Sequence, residues 1–245
     1  MRHCFTSTSK RRAGQLGILS GMDRRSFAYV VLGCVCVLSA APLVVRADAV
    51  VADPLQRIVA KAEADPSDID TLRKLGAAAL SELAKIYERS DPDTKVRIAR
   101  LFYKLGSESR DAKRVLMRDV HTNHPTLRLE VQWALGRVSA DDDVVDVLVD
   151  NMNHDANALF RDKAACGLAN DQIHLNPRQR ARLLRKVIAS LASSTAQVRT
   201  IAKQVLQILT GQNDAKGFNP TGPEQERQVA IARWQRWLAE YEANL

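Results

Sequence analysis

Histidines, one cysteine, a run of aspartates and several arginines are the residues of this 245-residue chain whose types and spacing could carry chemistry. His121 and His124 lie three apart beside Pro125, and His154 precedes Asp155. A zinc site would need three or four such ligands brought together by paired motifs. No His-Glu-x-x-His, paired-cysteine or EF-loop pattern is present, so these histidines read as turn residues. Cys166 sits in the small-residue run 164–169, with no His and Asn arranged to activate it, and reads as a buried small side chain. A Gly-x-Ser-x-Gly elbow and a glycine-rich phosphate loop are also missing. The sequence thus offers no catalytic, cofactor-binding or metal-ligating residue and implies neither an enzyme nor a cofactor.

Two charged stretches are left. Residues 141–150 hold five aspartates, which suit the positive end of a helix dipole and, as the weaker alternative, a Ca²⁺ ion. Residues 172–213 hold seven bases and no acid, and Arg178, Arg182 and Arg185 fall on one helix face opposite Leu184, Ile188 and Leu191. That face is either solvated surface or a docking surface for an anionic partner such as an acidic protein, a lipid headgroup or a wall polymer. The overall charge of +8 does not argue for nucleic acid, because residues 1–49 hold seven bases and two acids and leave only +3 for residues 50–245.

Residues 1–49 read as an N-terminal extension and export signal. Arg24 and Arg25 precede the uncharged, mostly apolar run 26–45, and Ala47-Asp48-Ala49 gives the small-x-small pattern of a cleavage site. Cleavage is expected after Ala49, with a site near Ala41 as the competitor. Arg24-Arg25-Ser26-Phe27 is similar to the twin-arginine export motif, with Asp23 in place of the usual Ser or Thr. Val31-Leu32-Gly33-Cys34 is a poor lipoprotein box, and an uncleaved anchor is a further option, since twenty residues at about 1.5 Å each span a bilayer core. All these routes place the rest of the chain in the periplasm or cell envelope, with membrane contact only through an uncleaved leader. Residues 1–21 fit none of them, which points to Met22 as an alternative start. Without the leader Cys166 is the only cysteine, so no internal disulfide is expected.

What must position these residues is helical. Apolar periodicity predicts helices over 53–64, 68–88, 92–105, 109–122, 125–138, 141–152, 157–169, 177–192, 195–210 and 223–243, joined by short turns. Short links make consecutive helices pack antiparallel. Four of the helices carry a large apolar residue followed at once by arginine: Val96-Arg97, Leu127-Arg128, Phe160-Arg161 and Val198-Arg199, at spacings of 31, 33 and 38 residues. Three keep an apolar or small residue four places on (Val131, Ala164, Ala202) and leucine eight places on (Leu135, Leu168, Leu206). Arg97, Arg128, Arg161 and Arg199 border the apolar stripe, where a long stem can lie on the core while the guanidinium bonds loop carbonyls or a neighbouring Asp or Asn. They read as structural links between repeats. Asp93, His124, Asn157 and Thr195 stand three residues before these pairs, and Asp, Asn and Thr are good helix caps.

This pattern resembles HEAT repeats, in particular the short bacterial, bilin-lyase type with Val-Arg-x-x-Ala-x-x-x-Leu in one helix. The C-terminal block, Leu209-Thr210-Gly211, Gly217-Phe218-Asn219-Pro220 and Ala230-Ile231-x-Arg233-Trp234-x-x-Trp237, is similar to the last unit of secreted bacterial HEAT-repeat proteins. The resemblance implies an all-α, right-handed α-solenoid of stacked antiparallel helix pairs. The expected organisation is leader 1–49, N-terminal helices 50–90, repeats 91–210, and a loop and capping helix 211–245. Thr221 and Glu224 fit a capping box, with Pro223 in the first turn, and Trp234 and Trp237 read as the core of the cap. By resemblance the chain is an exported scaffold that binds another protein through its concave surface, without catalysis. The alternatives are a surface protein holding an anionic polymer or lipid through 172–213, and an enzyme of the lyase or glycosylase type found on related repeats.

Overall fold

The computed structural model describes residues 47–245, with side chains from Pro54 onward. The n-region, the apolar run and the three cysteines of the leader lie outside the described residues. The described residues hold no strand. Their helices are α1 (Ala47–Ala60), α2 (Pro66–Leu75), α3 (Ala77–Glu88), α4 (Pro92–Leu105), α5 (Arg110–Asp119), α6 (Pro125–Val138), α7 (Asp142–His154), α8 (Ala158–Cys166), α9 (Pro177–Ser190), α10 (Ala196–Thr210) and α11 (Glu224–Ala243). None is long and apolar enough to cross a membrane.

Odd- and even-numbered helices form two layers. In the first, α1 packs on α3, α3 on α5, α7 on α9 and α9 on α11; in the second, α2 packs on α4, α4 on α6, α6 on α8 and α8 on α10. Each helix turns one apolar stripe to its partner and neighbours, so the core is a continuous sheet of side chains rather than a ball. The architecture is an α-solenoid.

Local chemistry sets the boundaries. Asp65, Asp91, Ser109, Asn157 and Asn176 each accept a hydrogen bond from a first-turn N–H. His124 also caps, its Nδ1 accepting from Leu127 N at 3.2 Å. Two capping expectations are corrected. Asp93 lies inside the first turn of α4 because Pro92 opens that helix and Asp91 caps it, and Thr195 makes no side-chain cap bond. A third expectation fails at α11. The Thr221 hydroxyl is taken by Asn219 Oδ1 at 3.1 Å, and Pro223 stands at the helix start with no side-chain cap.

The stretch expected as one helix over 68–88 is two. Gly76 has φ +60° and ψ −137°, a conformation essentially reserved for glycine, and it parts α2 from α3. Beyond Cys166, α8 widens into a π-turn, Gly167–Asp171. Cys166 is buried, as expected.

Near the C-terminus, loop 211–223 folds back and buries Ala215 and Phe218 against α11. Ala215 and Lys216 adopt left-handed conformations (φ 47° and 54°), and Trp234 Nε1 donates to Ala215 O at 3.0 Å. Trp234 is completely buried. Trp237 is only half-buried, because residues three apart are offset by 60° around a helix and only the first points inward. It meets Trp234 edge-on at 5.3 Å and stacks on Tyr241 at 5.6 Å, with Lys216 Nζ 5.7 Å from its ring. Trp234→Ala therefore costs about 3–5 kcal/mol, Trp237→Ala clearly less. Hydrogen exchange should quicken first in α10 and α11 of the Trp234 variant, and equal losses from both substitutions would contradict this arrangement.

Candidate functional site

The four repeat arginines all sit on even-numbered helices and all bond across unit boundaries or to the loop that opens their own helix. Arg97 donates from Nε to Val59 O at 2.9 Å and to Thr94 Oγ1 at 2.7 Å. Arg128 pairs with Asp155 in the loop before α8, and its guanidinium lies 4.5 Å from the Phe160 ring. Arg161 donates to Asp155 O and to Gln197 Oε1 at the start of α10. Arg199 donates to Ser193 O and Ser194 O at 2.7 and 2.8 Å, and to Pro220 O at 2.7 Å. From Arg128 onward each arginine reaches the next unit.

The outer surface of the odd-numbered layer is laced by ion pairs. Arg114 and Arg118 of α5 pair with Glu88 of α3, and Lys113 of α5 reaches Asp141 and Asp143 at the start of α7 at 2.6 and 2.7 Å. Arg182 pairs with Asp142 and Asp146, and Lys186 with Asp146 at 3.0 Å. Arg185 pairs with Glu242 of α11. The acidic stretch 141–150 and the basic segment of α9 thus face each other on adjacent helices. Arg178, Arg182 and Arg185 are all exposed, yet they do not form an open basic face: Arg178 alone among them has no ionic partner among the described residues. His154 hydrogen-bonds Asp150 at 2.7 Å.

The even-numbered layer presents a different surface. Glu130, Trp133 and Arg137 lie at i, i+3 and i+7 on α6, one stripe of one face. Arg100 of α4 donates from Nε to Glu130 at 2.8 Å. The Arg137 guanidinium lies 4.6 Å from the Tyr103 ring of α4, and its Nε donates to Asp171 in the π-turn at 3.1 Å. Lys163 of α8 places its ammonium 5.7 Å from the Trp133 ring. Cross-helix rungs therefore run from α4 through α6 to α8, with a half-buried tryptophan at the centre. The sequence signal for it was the spacing of Glu130, Trp133 and Arg137 on one stripe of α6.

This segment has a family likeness. Residues 77–169, running from α3 through α8 into the π-turn, match the family described as HEAT repeats. Its helix pairs are similar to HEAT repeats. The matched part holds three helix pairs, α3/α4, α5/α6 and α7/α8, and the arginine-bearing helix is the second of each pair. Comparison with curated proteins and with solved structures finds no match.

The HEAT pairs approach closely where α6 meets the π-turn. A Cβ on Gly136 would stand 2.9 Å from Asp171 O, too close without a backbone shift, and one on Gly167 would be crowded at 3.1 Å from Gln132 O. His174 Nε2 lies 3.0 Å from Gly106 O and 2.9 Å from Arg137 O, which makes it a donor to both and ties the linker to the ends of α4 and α6. Burial pushes the Asp171 carboxyl above its ordinary value of 3.8, against the opposing pull of Arg137. Burial, followed by the nearby Asp171 charge, also raises the Tyr103 hydroxyl.

Two outcomes follow. Arg161→Ala should lower stability by about 1–2 kcal/mol through lost charge-assisted bonds, whereas Arg178→Ala should stay within about 0.5 kcal/mol. Chemical denaturation checks both, and an unaffected Arg161 variant would remove the link. The second concerns pH. A carboxyl whose folded pKa is raised binds more protons folded than unfolded, so its ionisation works against folding above that pKa and the effect is relieved as pH falls towards 3.8. Wild type should therefore gain stability relative to Asp171→Asn between pH 7 and pH 4. Melting curves showing the reverse trend would mean that the ion pair with Arg137 dominates.

Proposed function

We propose that this chain is an exported scaffold, working in the periplasm or cell envelope, that binds another protein through the surface of α4, α6 and α8 and performs no catalysis. The observation that carries this reading is the central Trp133, half-buried among cross-helix arginine and lysine rungs on HEAT pairs. Tryptophan and arginine are the residues that dominate binding energy where they stand on an otherwise rigid surface. HEAT repeats commonly serve as protein-interaction scaffolds, which supports the class of function. The export signal read in residues 22–49 supports the address.

The reading that an anionic polymer or lipid binds through 172–213 has less support. Arg182, Arg185 and Lys186 are matched by Asp142, Asp146 and Glu242. Arg180 and Arg199 donate to the backbone oxygens of Leu209 and Pro220.

The test is photo-crosslinking in the native cell, with a benzophenone-bearing amino acid replacing either Lys104, beside Tyr103, or Arg178 on α9. Discrete protein adducts are expected from position 104 and not from position 178. Adducts from 178 alone, or none from 104 in a folded chain, would overturn the assignment of this face.

A further inference from the structure

The two layers handle their charges differently. In the odd-numbered layer both members of an ion pair reach solvent: the Arg182 side chain is 44% exposed and Asp142 48%. On the α4–α6–α8 face the acid lies underneath and the base outside. Glu130 is 12% exposed against 43% for Arg100, and Asp171 is 6% exposed against 29% for Arg137. Lys163, over Trp133, is 19% exposed, and among the described residues its ionic partner is the adjacent Asp162, 13% exposed, at 3.8 Å. Lys104 adds a further cation at the edge, where it meets the exposed Glu63 at 3.2 Å.

Buried carboxylates fix the guanidiniums in place without offering their own oxygens to a visitor. Among the described residues Arg100 uses only Nε, towards Glu130, and leaves both terminal nitrogens for another acceptor. Arg137 uses Nε on Asp171 and one terminal nitrogen, at 3.4 Å, on the Tyr103 hydroxyl. A preordered guanidinium with spare donors matches a carboxylate closely, because the fork geometry is complementary and little freedom remains to be lost on binding. Between these cations the ring of Trp133 offers an apolar anchor.

We infer that the α4–α6–α8 face binds an acidic protein segment, with an apolar side chain set against Trp133 and carboxylates on Arg100, Arg137 and Lys163. This rests on the scaffold reading and names the chemistry of its partner. Carboxylates at a spacing set by helix-borne rungs, next to an apolar anchor, describe a peptide more closely than a nucleic acid or a bilayer, which would call for a continuous basic track.

The experiment uses the purified full chain and fluorescence anisotropy. The probes are a labelled peptide of repeated Glu-Glu-Leu, its Gln-Gln-Leu counterpart, a single-stranded RNA oligonucleotide and phosphatidylglycerol vesicles. The acidic peptide should bind at least about tenfold more tightly than the glutamine peptide, as charge complementarity requires. The paired substitution Arg100→Gln with Glu130→Gln removes the outward cation without changing net charge or stranding a buried carboxylate, and should weaken binding about tenfold. Lys163→Gln, which leaves that pair intact, should weaken it severalfold. Arg178→Gln lowers net charge away from the face and should change nothing. Equal loss from Arg178→Gln, equal binding of the glutamine peptide, or tighter binding of RNA or vesicles that depends on the same residues would overturn the inference. If Lys104 crosslinks a protein while the acidic peptide shows no preference, the scaffold reading stands and the acidic partner falls. If no adduct forms at Lys104, the scaffold reading itself falls.

Discussion

A row of helix pairs has no centre. Each pair buries its apolar stripes only against the pairs before and after it, so the fold depends on bonds that cross from one unit to the next. One recurring set of crossing bonds is made by one residue type at one place, the arginine that follows the first large apolar residue of the second helix. Its stem lies beside core residues such as Phe160 and Val198, and its head closes a loop of the neighbouring unit. Loop carbonyls between short helices would otherwise be left without donors at the layer boundary. The same arginine thus satisfies the backbone and fixes the orientation of successive pairs.

Once orientation is fixed, backbone can approach backbone. The contact of α6 with the π-turn at Gly136 and Gly167 draws the Asp171 carboxylate under Arg137 and sets Arg137 against Tyr103. The exposed surface of the second layer inherits its order from this buried contact. A preordered arginine is available there because the groups below it have nowhere else to go.

Much of this was legible in the sequence because helix periodicity and the apolar-Arg spacing are local signals. Of the expected caps, Asn157 closes its helix start and Asp93, Thr195 and Thr221 do not, while Asp65, Asp91 and Ser109 cap helices whose starts the periodicity places within a few residues. The break at Gly76 was missed because the apolar pattern runs through it, and glycine marks such a break only when its φ is known. The π-turn was missed for a related reason. Glycines at 136 and 167 look like weak helix formers until the opposing backbone is seen. The acidic and basic stretches were read separately, although the repeat period already related them: Asp142 and Arg182, like Asp146 and Lys186, stand 40 residues apart, one step along the odd-numbered layer. The face around Trp133 could not be read from local pattern, because it is assembled from three helices, and which member of each ion pair lies beneath is a tertiary fact.

The ion pairs of the odd-numbered layer follow an order. Acidic residues outnumber bases in α3, α7 and α11, and bases outnumber acids in α5 and α9; α7 has four aspartates and no lysine or arginine, α9 five bases and no acid. Repeats of similar shape are prone to pairing out of sequence while the chain folds. From α3 onward, a helix that skipped one place along this layer would lie against a helix of its own sign. The alternation therefore favours correct neighbours over such slips. It penalises α5 on α9 or α3 on α7 electrostatically, whereas between correct neighbours Glu88, Asp142, Asp146 and Glu242 each meet a base.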